Sequence, residues 1–350
     1  MSAVLGPGVS NSEVVVTVRT AEAAVFETVF ETPAGEQTSA PEQPLKVSGT
    51  GFRNQNYQFY NDEGADMERI GVVGCGLMGS GIAEVCARRS LDVIVQELDD
   101  SALVMGRQRI WRSLSRAVSS GKLTEEASVE ALDRITFTTD MEALADRELV
   151  VEAVTEDEAA KVEVFARMDS VLVNDEAILA SNTSSIPIMK LAMATRRPEK
   201  VVGIHFFNPV PVLRLVELVS SLLTSEETAE AARTFARDQL GKEVINSKDR
   251  AGFIVNALLI PYILSAIRML ESGFATSEDI DTGMVEGCAH PMGPLALADL
   301  IGIDTTQAVA ESLYEEFKEP LYAPPPLLCR MTEAGLLGRK SGQGFYPYPG

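Results

Sequence analysis

The segment from Gly203 to Leu218 reads GIHFFNPVPVLRLVEL and places His205, one of only two histidines in the chain, twelve residues before Glu217. An imidazole beside a carboxylate is an acid/base unit: the carboxylate sets the ring tautomer and stabilises the imidazolium that forms when the ring accepts a proton. The pair works only if the backbone brings the two side chains face to face. Val201 to Ile204 is a short apolar run of strand type, Asn208 to Pro211 carries turn chemistry, and Leu213 to Val219 is a second β-type run. The pattern predicts a chain that doubles back, with His205 ending the first strand and Glu217 facing it from the second. The competing reading is a buried histidine satisfied by an acid for structural reasons.

A second constellation decides between these readings. Ile70 to Val73 is an apolar strand that runs into Gly74, Cys75, Gly76, Leu77, Met78 and Gly79, and then into a helical stretch reaching about Arg89. This is GxGxxG in a strand-turn-helix setting. Gly74 permits the tight turn, Gly76 lets a pyrophosphate approach the backbone, and Gly79 allows the helix to pack closely on the strand, with the phosphates on the helix N-terminus. A strand from Leu91 to Val95 follows, and Glu97 lies 23 residues after Gly74, near the spacing at which an acid accepts hydrogen bonds from an adenosine ribose. Leu98, Asp99 and Asp100 come next, with no arginine to neutralise a 2′-phosphate. The electrostatics therefore favour NAD over NADP as cofactor.

Seven collinear motifs carry a family resemblance: GVVGCGLMGSGIAEVCA, VVEAVTEDEAAKVEVF, ASNTSSIPI, GIHFFNPVPVLRLVELV, DRAGFIVNALLIPYILSAI, HPMGPLALADLIGID and GRKSGQGFY. Together, from Met67 to Tyr346, the chain resembles the (S)-3-hydroxyacyl-CoA dehydrogenases, most of all the bacterial 3-hydroxybutyryl-CoA enzymes. The resemblance implies an α/β fold: a doubly wound, Rossmann-type NAD-binding domain over residues 67–250, then an all-α dimerisation and substrate domain over 251–350. It implies reversible NAD-dependent oxidation of a 3-hydroxyacyl-CoA, without a metal, in fatty acid or butanoate metabolism. Position by position, His205 matches the catalytic base, Glu217 its carboxylate, Ser184 the serine that hydrogen-bonds the substrate oxygen, and Asn256 the asparagine completing the site. Glu156, Lys161 and Asn182 match residues near the nicotinamide side of the cofactor. Read without the resemblance, Ser184 is a helix N-cap, Asn256 a helix-packing amide, and Glu156 with Lys161 a solvated helix face.

Charge agrees with a small anionic ligand only if the distribution is uneven. The formal net charge of -21 argues against nucleic acid and anionic membranes as partners. A CoA ester is itself a polyanion and needs a local basic patch. The helix after the second strand offers Arg107, Arg109, Arg112, Arg116 and Lys122, and the resemblance assigns this region, with Ser113, Arg116 and Lys122, to CoA contacts. The chain departs from the family where close relatives carry lysines near the end of that helix, having Ser119 and Ser120 instead. A thioester on a carrier protein is therefore the alternative substrate, and an inactive NADH-binding relative the alternative class. A dehydrogenase of free β-hydroxyacids uses a catalytic lysine and lacks the His205 and Glu217 pair.

The four cysteines Cys75, Cys86, Cys288 and Cys329 lack metal-ligand spacing and read as reduced packing residues. Ala251 to Ile267 is free of charge but only 17 residues long and interrupted by Asn256 and Pro261, so a buried helix is expected rather than a membrane span. No basic region followed by an apolar block opens the chain, and a cytoplasmic enzyme is expected. Further helices are expected over Phe253 to Leu270, Ser277 to Glu286 and Leu295 to Ile301, with Leu258 to Leu300 as the homodimer interface and His290 in a turn. Residues 1–66 fall outside the resemblance and carry nine acids against three bases. They read as a flexible tail, a small docked element, or sequence upstream of a start at Met67, the last being favoured. Val14 to Val18 and Val25 to Phe30 could pair there as a hairpin.

Overall fold

The computed structural model describes residues 13–19, 25–31 and 66–349. The chain divides into two units, Met1–Asp62 and Glu63–Gly350. In the first, β1 (Glu13–Arg19) pairs antiparallel with β2 (Val25–Glu31), Glu13 opposite Glu31, which is the expected hairpin.

The second unit is built on eight strands in the order β10-β9-β8-β7-β6-β3-β4-β5. These are β3 (Arg69–Val73), β4 (Asp92–Gln96), β5 (Ile135–Thr138), β6 (Leu149–Glu152), β7 (Ile178–Ser181), β8 (Val201–Phe206), β9 (Leu215–Ser220) and β10 (Glu243–Lys248). β3 to β8 run parallel; β9 is antiparallel to β8 and parallel to β10. Strands buried on both faces read as near-continuous apolar runs, and β6, β7 and β8 are buried at every residue. Strand order reverses beside β3, which pairs with both β4 and β6. A ligand crevice opens at such a reversal, outside the strands' carboxyl ends.

Helices cover both faces. On one side α1 (Leu77–Arg88), α2 (Asp100–Ser119), α3 (Glu125–Asp133) and α6 (Glu226–Thr234) pack over a core that includes Ile82, Ile110, Ala131, Ile204 and Phe206. On the other, α4 (Glu158–Val171) and α5 (Ile188–Ala192) pack with Phe165, Leu179, Ile188, Val201 and Phe253. Strand alternation sends Phe206 to the first side and leaves His205 on the second. Acid and hydroxyl caps start α2, α3, α4 and α6: Asp99 accepts from Ala102 N at 2.8 Å and Asp157 from Ala160 N at 2.9 Å.

The chain then becomes helical: α7 (Val255–Glu271), α8 (Ser277–Cys288), α9 (Pro294–Ile301), α10 (Ile303–Phe317) and α11 (Pro326–Glu333). The first three match the expected helices. α10 and α11 did not emerge from the apolar pattern, although Ile303, Ala310, Leu313, Leu328 and Met331 complete the core of this part. Distant carboxylates meet the first amides of α7, α9 and α11. Asp281 accepts from Leu295 N and Ala296 N, both at 2.9 Å, at the head of α9. Among the described residues no helix is long and apolar enough to cross a membrane. Cys75 and Cys86 are buried as expected, whereas Cys288 is exposed and packs against no core, because α8 presents its last turn to solvent.

Candidate active site

His205 and Glu217 are cross-strand partners in the antiparallel β8-β9 pair, where opposed side chains lie on one face. His205 Nδ1 stands 2.7 Å from Glu217 Oε2. Glu217 is fully buried and His205 is 6% exposed. A buried carboxylate needs more than one partner, and Glu217 has them: its Oε1 accepts from Ile254 N at 3.0 Å and Val255 N at 2.9 Å. Those amides head α7, which has no side-chain cap of its own. Glu217 thus links β9 to the helical region and to the ring of His205. Nδ1 must carry the proton it shares with the carboxylate, so Nε2 is left as the acceptor. Phe207 and Phe253 flank the ring at centroid distances of 4.6 and 5.5 Å.

The glycine turn sits at the strand-order reversal. Gly74 has φ +90, and a side chain there would meet Ala153 O at 2.8 Å. A Cβ on Gly79 would lie 1.8 Å from Gly74 O, whereas one on Gly76 would meet nothing within 4 Å. The turn is closed against protein at Gly74 and Gly79 and open at Gly76, beside the N-terminus of α1. That is the cradle a pyrophosphate requires. Leu77 is 65% exposed at its lip, and Met78 is half-buried behind it. Glu97, beyond β4, accepts from Cys75 N at 2.5 Å and from Leu98 N at 3.1 Å. A carboxylate with two such bonds keeps lone pairs for ribose hydroxyls, so the residues present fit a dinucleotide. Asp99 is engaged as the α2 cap.

Between these two centres runs a polar network anchored on the end of β6. Glu152, fully buried, accepts from Lys161 Nζ at 2.6 Å, Ser181 Oγ at 2.6 Å and Val154 N at 2.7 Å. Lys161, 1% exposed, reaches on to Glu156 Oε2 at 3.3 Å. Glu156 Oε1 in turn accepts from Thr183 Oγ1 at 2.6 Å, Ser184 N at 2.9 Å, and the hydroxyls of Ser184 and Ser185, both at 3.2 Å. Burial alone pushes the Glu156 carboxyl up. The Lys161 ammonium and the bonds from Thr183 and Ser184 outweigh it and hold the carboxyl below the usual carboxylate range.

Of the remaining expected residues, Asn182 is buried and its Oδ1 accepts from Phe206 N at 2.9 Å, one residue past His205. Asn256 is the second residue of α7, next to the amides that hold Glu217. Ser184 is not a helix cap: α5 begins at Ile188 behind Pro187, and the Ser184 hydroxyl turns to Glu156 instead. Neither Ser184 nor Asn256 is hydrogen-bonded to His205 among the described residues. Lys161 is no solvated partner of Glu156, since Glu152 holds it in the core. Ser113 lies half-buried on α2 near Glu84, a buried acid of α1 whose carboxyl is pushed up by burial against the pull of Ser113 and Arg88. Arg116 and Lys122 are exposed. His290 Nδ1 lies 3.2 Å from Tyr262 Oη and hydrogen-bonds none of these residues.

Sequence reading missed Glu152, Ser181 and Thr183. Glu152 follows three apolar strand residues and carries no motif of its own; a charged residue closing a buried strand beside the glycine turn was the available signal.

Comparison with known proteins gives the family. The sequence model described as 3-hydroxyacyl-CoA dehydrogenase, NAD binding domain, matches residues 69–250, and that of the 3-hydroxyacyl-CoA dehydrogenase C-terminal domain matches residues 252–348. A 3-hydroxybutyryl-CoA dehydrogenase of Mycobacterium tuberculosis is 59% identical over 282 residues, 81% of this chain and 99% of that one. The crystal structure of M. tuberculosis FadB2 superposes with a TM-score of 0.81 at 58% identity, covering 81% of this chain and all (100%) of that one. The (S)-3-hydroxybutyryl-CoA dehydrogenase PaaH1 from Ralstonia eutropha gives a TM-score of 0.77 at 45% identity, covering 81% and 100%.

Proposed function

The chain belongs to the 3-hydroxyacyl-CoA dehydrogenase family, and from that premise we propose that it reversibly oxidises an (S)-3-hydroxyacyl-CoA, with 3-hydroxybutyryl-CoA as substrate, to the 3-ketoacyl-CoA. The observation that carries this reading is the 2.7 Å contact between His205 Nδ1 and Glu217 Oε2 at the end of the sheet that bears the glycine cradle. We place the reaction in the cytoplasm, in fatty acid or butanoate metabolism.

Gly74, Gly76, Gly79 and the head of α1 would hold the pyrophosphate of NAD, with Glu97 on a ribose and Glu156, Lys161 and Asn182 towards the nicotinamide. When bound, the nicotinamide supplies the acceptor for the hydride leaving C3 of the substrate. His205 Nε2 takes the hydroxyl proton in the oxidative direction and returns it in the reductive one. Glu217 stabilises the imidazolium, and because the amides of Ile254 and Val255 hold its other oxygen, it does so without reorganising. Ser184 and Asn256 orient the substrate oxygens. Turning the Ser184 hydroxyl to substrate costs Glu156 one hydrogen bond, while the Thr183 hydroxyl and Ser184 amide continue to hold it.

The exposed cations in and just after α2 support an anionic substrate: Arg107, Arg109, Arg112, Arg116 and Lys122 form no salt bridge among the described residues. The test is NADH oxidation at 340 nm with acetoacetyl-CoA, beside NADPH and free acetoacetate. Turnover confined to NADH and the CoA ester is expected. No turnover despite NADH binding would move the assignment to a carrier-protein thioester or an inactive relative.

A further inference from the structure

The polar network at the ends of β6 and β7 holds two carboxylates and one ammonium. Lys161 reaches Glu152 at 2.6 Å and Glu156 at 3.3 Å, and it is the only cation within salt-bridge distance of either acid among the described residues. Both acids are surrounded by donors, as an ionised carboxylate requires. Glu152 takes Val154 N and Ser181 Oγ besides Lys161; Glu156 takes the Thr183 hydroxyl and the Ser184 amide. One negative charge is therefore left over. It meets water only through Glu156, whose side chain is 36% exposed, since Glu152 and Lys161 are buried. Strand register fixes where this surplus lies. Val73 at the end of β3 is opposite Glu152, Glu152 is opposite Ser181, and Ser181 is opposite Gly203, two residues before His205. The network thus fills the interval of about 14 Å, three strand spacings, between the strand that ends in the glycine turn and the strand of the base. At one edge a Cβ on Gly74 would lie 3.0 Å from Val154 N. At the other, Asn182 accepts from Phe206 N at 2.9 Å.

We propose that the surplus negative charge of Glu152, Lys161 and Glu156 distinguishes the two redox forms of the cofactor, attracting the cationic nicotinamide ring of NAD+ and leaving the neutral ring of NADH unaffected. The proposal rests on the dehydrogenase reading above and adds to it a role for Glu152, the acid that supplies the surplus. A hydride acceptor tethered to phosphates at the glycine turn must cross the β6-β7 interval to reach a carbon beside His205, because the β4 side, with Glu97, belongs to the adenosine half. In the oxidative step the C3–H bond breaks with both its electrons going to nicotinamide C4, and the hydroxyl proton goes to His205 Nε2. The ring loses its positive charge and the imidazole gains one. The positive charge passes from the reach of the Glu152 network to that of Glu217, so the attraction at β6 belongs to the oxidised cofactor alone.

Glu152→Gln removes the surplus with little change of shape. Lys161 and Val154 both meet Oε1, which an amide oxygen can replace, and the amide NH2 can donate to Ser181 Oγ where Oε2 now accepts. Calorimetric titration of the full chain with each nucleotide is expected to show NAD+ bound about tenfold more weakly than by the wild type and NADH bound equally well. That is the effect of removing a unit charge about 10 Å from the ring at an effective dielectric of about 20. Glu152→Asp keeps the charge and should keep the wild-type ratio of the two affinities. An equal loss of both nucleotides in Glu152→Gln, no loss of either, or the same change of ratio in Glu152→Asp overturns the proposal. Where Glu152→Gln does not fold, Glu156→Gln at the open end of the network carries the same expectation and is refuted by the same results. Binding needs no thioester: if these affinities are found but the wild type does not turn over acetoacetyl-CoA, the charge selection stands and the acyl-CoA reading falls.

Discussion

At the scale of the residue, the proposed reaction depends on one proton and the carboxylate that orients the ring carrying it. Replacing His205 by Gln preserves an amide able to reach Glu217 but removes the group that accepts a proton. Turnover is expected to fall by about two to four orders of magnitude, the usual contribution of a positioned acid/base. NADH binding, followed by fluorescence, should stay close to wild type, because no part of the glycine cradle changes. Wild-type turnover in this variant would remove His205 from the mechanism. The pair was legible because residue type, spacing and a turn-forming segment coincide within sixteen residues, Gly203 to Leu218. What the sequence concealed is the second half of Glu217's environment: the amides of Ile254 and Val255 come from 37 and 38 residues away. Glu152 was hidden for the same reason, its partners Lys161 and Ser181 lying on different elements. Buried polar groups must be satisfied, but local pattern does not say by whom.

At the scale of the element, the turn between β3 and α1 separates two causes of failure. Gly79→Ala would drive a methyl group to 1.8 Å from Gly74 O, a backbone clash that must distort the turn, so a lower melting temperature and loss of NADH affinity are both expected. Gly76→Ala meets no protein atom within 4 Å, so the fold should melt as the wild type does while NADH binds about tenfold or more weakly. Unaltered NADH affinity in Gly76→Ala would mean that the cradle faces no phosphate. The α4 helix offers a matching test by pH. Asp169 accepts from Arg196 Nε at 2.8 Å and Arg197 Nε at 2.7 Å. Burial pushes its carboxyl up, but these arginines outweigh it and hold it below the free aspartate range. A carboxyl with a depressed folded value contributes fully above its unfolded value of about 3.9 and loses that contribution as pH falls through the folded one. Asp169→Asn should therefore lower the melting temperature at neutral pH and converge on the wild type in acid; a gap that persists at the lowest pH would show that packing, not charge, is at stake. Strand and helix types were legible here from apolar period and glycine spacing. α10 and α11 were not read, although each carries a one-sided apolar face whose residues Ile303, Ala310, Leu313, Leu328 and Met331 enter the core.

At the scale of the whole molecule, the helical region keeps an apolar surface that its own core does not cover. Ile254, Leu258, Tyr262, Pro291 and Leu300 line one groove, with Leu258 73% and Leu300 48% exposed. Sequence pattern offers this stretch as an interface candidate because a region so short buries its apolar surface more easily against a second copy, yet pattern cannot name what lies opposite. A second copy is the occupant we infer, since an isologous contact buries the same patch twice with one set of residues. Light scattering at micromolar concentration should give the dimer mass for the wild type. Leu258→Asp places a carboxylate where two apolar surfaces would meet, at a position open to water in the single chain, and should give a monomer that keeps its helical content. Because α7 begins at the amides that hold Glu217, loss of the partner should also loosen that end of the helix, so the monomer should melt at lower temperature and turn over more slowly with KM for NADH little changed. A wild type that scatters as a monomer would leave the groove to another partner, and a dimeric Leu258→Asp would move the interface away from α7.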